Sequence, residues 1–223
     1  VLRDNFYGTI KEDAFRRDFT INSLYLDITN MEIIDYTGGF KDIKNKELVC
    51  IGESGLRFRE DPVRIIRAVR FLCNLNLKLK KSLKKDLVNF AHLLQEIPPA
   101  RRYEEILKLF LTGNAKNNFI ALLEFHILKH LLPVTEKQCS NEKHKYFFLN
   151  ALSNSDDRVK RGLSLTPAFL FSVLLWPGLT ERIGEINSKK TKLPSLIRSS
   201  NIIIKKCRQD CFIPKRIENM IKE

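Results

Sequence analysis

Phe58-Arg59-Glu60-Asp61-Pro62-Val63-Arg64-Ile65-Ile66-Arg67-Ala68-Val69-Arg70-Phe71 is the stretch on which the reading of the chain turns. Asp61 before Pro62 reads as an N-cap followed by proline at the first helical position, where a missing N–H costs nothing. A helix is expected to start there. At 100° per residue, Arg64 and Arg67 fall within about 40° of Glu60, with Arg70 on one flank and Asp61 on the other. Ile65, Ile66, Ala68, Val69, Leu72 and Cys73 centre on the opposite side, so the helix should bury one stripe and present three arginines and two acids on the other.

A lone Glu60–Arg64 pair would be an ordinary i,i+4 surface contact worth a few tenths of a kcal/mol. Here arginines recur every three residues, and a second segment, Arg16-Arg17-Asp18-Phe19-Thr20-Ile21-Asn22-Ser23, lies upstream. Together they suggest an anion-binding site with acidic orienters. Arginine's planar fork suits phosphate oxygens, and an Asp–Arg pair offers complementary donors and acceptors to a base edge.

Both stretches carry a resemblance. Arg16-Arg17-Asp18-Phe19-Thr20-Ile21-Asn22 resembles the RRDFTxN signature of class II nucleotidyltransferases, and Glu60-Asp61-Pro62-Val63-Arg64 resembles their EDxxR signature. That family contains the CCA-adding tRNA nucleotidyltransferases and the bacterial poly(A) polymerases. Asp4-Asn5-Phe6-Tyr7-Gly8, the run Ile97 to Glu105, and Thr166-Pro167-Ala168-Phe169-Leu170-Phe171 look more like the poly(A) polymerase branch. The resemblance implies that Arg16, Arg17, Asp18 and Asn22 hold the ribose and triphosphate. Asp61 and Arg64 would face the base, backed by Glu60 and Arg67, and Arg70 joins the same nucleotide-binding set.

The 223 residues carry 39 Lys plus Arg against 26 Asp plus Glu, a formal charge of +13. Such an excess favours a polyanionic partner. No run of about 18 apolar residues suggests a membrane span, and no signal peptide is seen. The five cysteines, Cys50, Cys73, Cys139, Cys207 and Cys211, are odd in number and scattered, as expected of reduced thiols in a cytoplasmic protein. Cys207 with Cys211 and His126 with His130 have i,i+4 spacing, but neither pair has a second pair at zinc-ligand spacing. No metal site is expected from them.

In chain order, Thr9 and Glu12 have capping-box spacing and open a short helix through Arg17. Ser23–Ile28 and Met31–Tyr36 read as a β-hairpin ended by Gly38-Gly39, Asp42 as part of a further turn, and Glu47–Gly52 as a further strand. From Asp61 onward helices are expected at Ser82–Gln95, Arg101–Thr112, Asn118–His130, Phe147–Leu152, Pro167–Trp176 and Ser195–Asp210, with a last short helix opened by Ile213-Pro214. Polar loops are expected at Gln138–Lys145 and Ser153–Gly162, and a flexible basic stretch at Ser188–Lys192. Strands confined to the first quarter and then only helices indicate an α+β fold. Three parts are expected: residues 1–55, the remainder of a nucleotidyltransferase head; 56–112, a helical neck meeting base and RNA; and 113–223, a helical body.

Nucleotidyl transfer needs two divalent ions held by carboxylates. In the family these come from an Asp-x-Asp pair after a Gly-Ser turn, and neither occurs in this sequence. Asp156-Asp157 is adjacent rather than alternating and is expected to be solvated. Val1 is not a start methionine, so the chain is expected to begin within a longer protein or a processed one, with the Mg²⁺ ligands outside it, and to be inactive alone. Lys80, Lys81 and Lys84, then Arg101 and Arg102, then Arg158, Lys160 and Arg161 form basic clusters suited to tracking RNA. The leading expectation is a monomeric polymerase adding AMP from ATP to RNA 3′ ends. A CCA-adding enzyme and a non-catalytic RNA-binding module are the alternatives.

Overall fold

The computed structural model describes residues 8–186 and 193–222. The chain packs as two compact units, Val1–Phe90 and Ala91–Glu223. The Asp4–Tyr7 part of the first resemblance and the Ser188–Lys192 stretch lie outside the described residues.

The first unit begins with α1 (Ile10–Arg16), whose capping box forms as its spacing predicts: the Thr9 N–H donates to Glu12 and the Glu12 N–H to the Thr9 hydroxyl. A 3-10 turn at Thr20–Asn22 leads into β1 (Leu24–Asp27), which pairs antiparallel with β2 (Glu32–Asp35). The hairpin is the expected one. Beyond it the reading needs correcting, because Gly39–Asn45 forms a helix, α2, rather than a turn. Asp35 ends the strand and accepts hydrogen bonds from the N–H groups of Thr37, Gly38, Gly39 and Phe40, satisfying the donors a helix N-terminus leaves open. Those bonds hold its carboxyl below the usual range, against the opposing effect of burial.

Gly38 sits at φ +84°, and Gly39 packs so tightly that a Cβ there would lie 2.1 Å from the Thr20 carbonyl oxygen. This contact seats α2 on the 3-10 turn that carries Thr20 and Asn22. The Thr20 hydroxyl donates to Asp42 of α2 at 2.7 Å.

The expected strand Glu47–Gly52 shortens to β3 (Glu47–Leu48), which pairs in parallel with β4 (Lys78–Leu79). Strands are therefore not confined to the first quarter. Residues 18–20 run beside 49–51, joined by the Thr20 N–H to the Val49 carbonyl and the Ile51 N–H to the Asp18 carbonyl. Helices α3 (Ser54–Glu60), α4 (Val63–Asn74) and α5 (Lys81–Phe90) complete the unit.

Asp61 is not the first cap of the helical region, since α3 precedes it. Asp61 and Pro62 are instead the break between α3 and α4: the residue before a proline is forced out of the helical region, and Asp61 adopts φ −148°, ψ 97°. It ends α3 and accepts from the Val63 N–H at 3.2 Å, so the capping chemistry survives inside a helix–helix corner. Ile65, Ile66, Ala68 and Val69 are fully buried, as the wheel predicts, whereas Leu72 and Cys73 of the expected stripe, at the end of the helix, are only half-buried. Phe19 joins this core with its ring edge against Phe71 at 5.9 Å between centroids.

In the second unit a 3-10 turn (Ala91–Glu96) precedes α6 (Pro99–Phe110), α7 (Ala115–Glu124), α8 (Leu128–Leu131), α9 (Pro133–Gln138), α10 (Glu142–Lys160), α11 (Pro167–Ile186), α12 (Leu193–Asp210) and α13 (Lys215–Lys222). The single helix expected over 118–130 is split. His126 takes φ +55°, and the Ile127 N–H turns back to the Leu122 carbonyl, ending α7 in a left-handed cap. His126 and His130 consequently share no helical face.

The expected loops at 138–145 and 153–162 are also corrected, being mostly helical. Asp156 explains the second: it is buried, and its two oxygens accept from the Ala115 and Lys116 N–H groups at 2.6 and 3.0 Å. It caps α7 from a neighbouring helix, and only Asp157 of the pair is solvated.

Candidate nucleotide-binding site

The first unit brings the two arginine stretches together through Asp18. This side chain is 7% exposed. Its Oδ1 accepts from the Phe19 N–H at 3.0 Å and the Asn22 amide at 3.1 Å, and its Oδ2 accepts from Arg67 Nε at 2.5 Å. Burial pushes the carboxyl up, but the Arg67 and Asn22 hydrogen bonds outweigh it and hold Asp18 below the usual carboxylate range. Arg67 also lies over the Phe71 ring, 5.1 Å from its centroid, with Arg70 at 5.5 Å.

A second link runs through Arg57, which the sequence reading missed although it immediately precedes the quoted stretch. Its guanidinium donates to four acceptors: the carbonyls of Ile51 (3.1 Å), Phe15 (2.6 Å) and Arg17 (2.8 Å), and Glu60 Oε2 (2.8 Å). Arg57 therefore pins the backbone on both sides of Arg16 to α3. Arg64 donates from Nη1 to the Arg57 carbonyl at 3.0 Å and to the same Glu60 oxygen at 2.7 Å. The Arg64 hydrogen bond leads in holding the Glu60 carboxyl low, ahead of the opposing burial and the Arg57 bond. Glu60 belongs to α3 rather than α4, yet it still meets Arg64 across the Asp61–Pro62 corner.

Arg17 is exposed and oriented from behind. Asp13 takes its Nε and Nη2 at 3.0 and 2.7 Å, and the same oxygen accepts from the Tyr25 hydroxyl at 2.6 Å. Asp13 is held low by the Tyr25 bond first and then by Arg17. Neither Asp13 nor Tyr25 was singled out in the sequence. The signal for Asp13 was its i,i+4 spacing to Arg17; Tyr25 reaches it only through the fold. Arg16 ends α1 in solvent.

The carboxylates here do not fit a divalent ion. Those of Asp18, Glu60 and Asp13 are taken up by guanidinium, amide and hydroxyl donors, and no group of three or more metal-ligating side chains occurs among the described residues. The arrangement is a set of oriented cations over acidic orienters, suited to a polyphosphate and a hydrogen-bonding ring.

Of the basic residues expected to meet RNA, Lys80, Lys81 and Lys84 are exposed in the first unit, with Lys80 3.6 Å from Glu47. In the second unit Arg101 is exposed, whereas Arg102 is 6% exposed on the buried face of α6, with no partner for Nε among the described residues. Arg102 therefore does not present its charge to solvent.

Two family models match the chain: the Poly A polymerase head domain over residues 2–49, and the Probable RNA and SrmB-binding site of polymerase A over residues 76–139, between them about half of its length. Poly(A) polymerase I of Salmonella typhi is 35% identical over 228 aligned positions, covering 100% of this chain and 49% of the relative. The chain belongs to the class II nucleotidyltransferase family. A CCA-adding enzyme of Bacillus pumilus is 38% identical over 150 residues, 66% of this chain and 37% of the relative. This chain spans about half or less of the length of the curated relatives it matches. Its fold resembles a crystal structure of a tRNA nucleotidyltransferase complexed with a primer tRNA and an incoming ATP analog, with TM-score 0.61 and 24% identity over 98% of this chain and 59% of the other. Among the described residues no helix is long and apolar enough to cross a membrane.

Proposed function

We propose that this chain is the nucleotide- and RNA-holding part of a template-independent RNA nucleotidyltransferase that adds AMP from ATP to RNA 3′ ends. The carrying observation is the Asp18–Arg67 bond, which joins the two arginine motifs in one charged network. Arg16 and Arg17 bind the triphosphate. Asp18 and Asn22 fix the turn that positions the ribose, and Asp61 with Arg64 reads the base edge. Glu60 and Arg67 orient these groups, and Arg70 extends the cationic face along α4. Mg²⁺ is held by carboxylates other than the ones described above.

Residues 1–55 act as the remainder of the head, 56–112 as the neck and 113–223 as the body. Lys80, Lys81, Lys84 and Arg101 give the RNA backbone its exposed positive contacts. The free cysteines among the described residues suit a cytoplasmic setting. Similarity to poly(A) polymerase I along the whole of this chain, which matches about half of that relative, supports adenylation. CCA addition is the second reading, supported by the CCA-adding relative of Bacillus pumilus and by the tRNA-bound structural neighbour.

The test offers the polypeptide that naturally carries this chain a short unstructured RNA, or tRNA lacking its end, with Mg²⁺ and each nucleoside triphosphate separately. Long ladders with ATP alone support the first reading. One or two cytidines followed by a single adenosine, on tRNA only, support the second, and RNA binding without incorporation overturns both.

A further inference from the structure

The second unit contains a cavity of about 460 Å³ between the C-terminal half of α10 and the first turn of α11, bordered by Asn154, Arg158, Ser164, Leu165, Thr166 and Phe169. Its size lies within the range of about 300–1,000 Å³ occupied by small-molecule sites. Arg158 donates from Nε to the Ser164 carbonyl at 3.1 Å, which fixes the guanidinium plane. Both Nη groups are left without a partner among the described residues. The neighbouring carboxylates do not neutralise it, because Asp156 accepts from the Ala115 and Lys116 N–H groups and Asp157 pairs with Lys160 at 3.7 Å.

Phe169 also borders the cavity and is 47% exposed. Single half-exposed rings are ordinary on a protein surface, but this one borders the same cavity as the cationic fork and offers a base a face to stack on. The Phe169 N–H donates to the Thr166 hydroxyl at 3.2 Å, which caps the first turn of α11 and fixes the backbone that carries the ring. Asn154 adds an exposed side-chain amide to the same rim.

A guanidinium fork for a phosphate, an aromatic face for a base and an amide for a base edge are the three elements of single-stranded nucleotide recognition. We propose that this cavity is a nucleotide subsite for single-stranded RNA, taking one base against Phe169 and its phosphate on Arg158. The ligand class rests on the RNA nucleotidyltransferase reading. A phosphate-bearing peptide would use Arg158 and leave Phe169 and Asn154 without a role.

The test measures the affinity of the folded chain for a short oligoadenylate and, in parallel, for ATP, comparing wild type with Arg158→Ala, Phe169→Ala and Phe169→Tyr. Arg158→Ala should weaken oligoadenylate binding about 10-fold and reduce the slope of log affinity against log salt by about 0.7, the share of one single-strand phosphate. Phe169→Ala should weaken it roughly 5- to 100-fold, with Phe169→Tyr close to wild type, as stacking requires. ATP affinity should not change in any of the three. Unchanged oligoadenylate affinity in both alanine variants overturns the proposal, and so does a loss confined to Arg158→Ala, which would mark an anion contact only. Should an alanine variant fail to fold, the ring-proton shifts of Phe169 in the wild-type chain on adding AMP decide the question, and their absence overturns it. Failure of the wild-type chain to bind ATP would strike the nucleotide-holding role proposed for the first unit and leave the oligoadenylate comparison interpretable.

Discussion

Arg67 donates from Nε to Asp18 Oδ2 at 2.5 Å, tying together two residues 49 positions apart in the chain. The carboxylate is buried and the arginine is one-third exposed, so removing the acid leaves a partly desolvated cation and two further donors, Asn22 and the Phe19 N–H, without an acceptor. Asp18→Ala should cost about 2–4 kcal/mol in urea unfolding at neutral pH. Because the folded carboxyl titrates below its unfolded value, its contribution is fully present above the ordinary carboxylate range and is lost as pH falls through the folded value. Wild type should therefore lose part of its advantage over Asp18→Ala on acidification below about pH 4, and an advantage that grew there would contradict the pairing.

Gly38 and Gly39 are adjacent but should respond to alanine for different reasons. At Gly38 the penalty is conformational: φ +84° with open space around a Cβ costs about 1 kcal/mol. At Gly39 the obstacle is the Thr20 carbonyl 2.1 Å away, which moves only if the 3-10 turn carrying Asn22 moves with it. Gly39→Ala should cost about 2–3 kcal/mol or more by overpacking and weaken nucleotide binding as well. Thermal midpoints and ATP affinity of the two variants separate the cases.

Asp156 supplies both oxygens to the first turn of α7 from 40 and 41 residues away. Asp156→Ala should cost about 1–3 kcal/mol, the loss of a cap together with buried N–H groups left unpaired. Asp156→Asn, which keeps one acceptor, should fall between. Hydrogen exchange at Ala115 and Lys116 is the local readout, and protection unchanged in Asp156→Ala would refute the cap.

What was legible in the sequence followed from local chemistry. The Thr9–Glu12 box, the hairpin and the buried stripe of α4 each need only spacing and side-chain type. The missed features depend on distance through the fold. Pro62 reads as a helix start from its own position, and only packing shows that α3 runs up to it from the other side. Asp156 looked solvated because its partners lie some forty residues away in sequence. Arg57 was overlooked because its chief acceptors are backbone carbonyls, which leave no trace in residue type. The candidate site was legible where the arginines and Asp18 stand in two short motifs, and was not legible in the residues that orient them.

Arg64 allows binding and stability to be read separately in one variant. The Arg64 side chain is 15% exposed, but its partner Glu60 is 52% exposed and keeps Arg57 as a second cation, so the ion pair contributes little to folding, and the bond to the Arg57 carbonyl is a single contact. Arg64→Ala should lower stability by only about 1 kcal/mol. If Arg64 faces the base, the same change should weaken ATP binding or turnover about 10- to 100-fold, the loss of about 1–3 kcal/mol from a charge-assisted hydrogen bond. Discrimination between ATP and CTP should fall with it. Arg70→Ala, farther along α4 beside Phe71, should have the smaller effect on that discrimination. Parallel titrations of ATP and CTP against the two variants, with thermal midpoints, carry the comparison. An Arg64 variant that unfolds easily but keeps its nucleotide preference would make this arginine a strut of the α3–α4 corner and leave Asp61 to read the base alone.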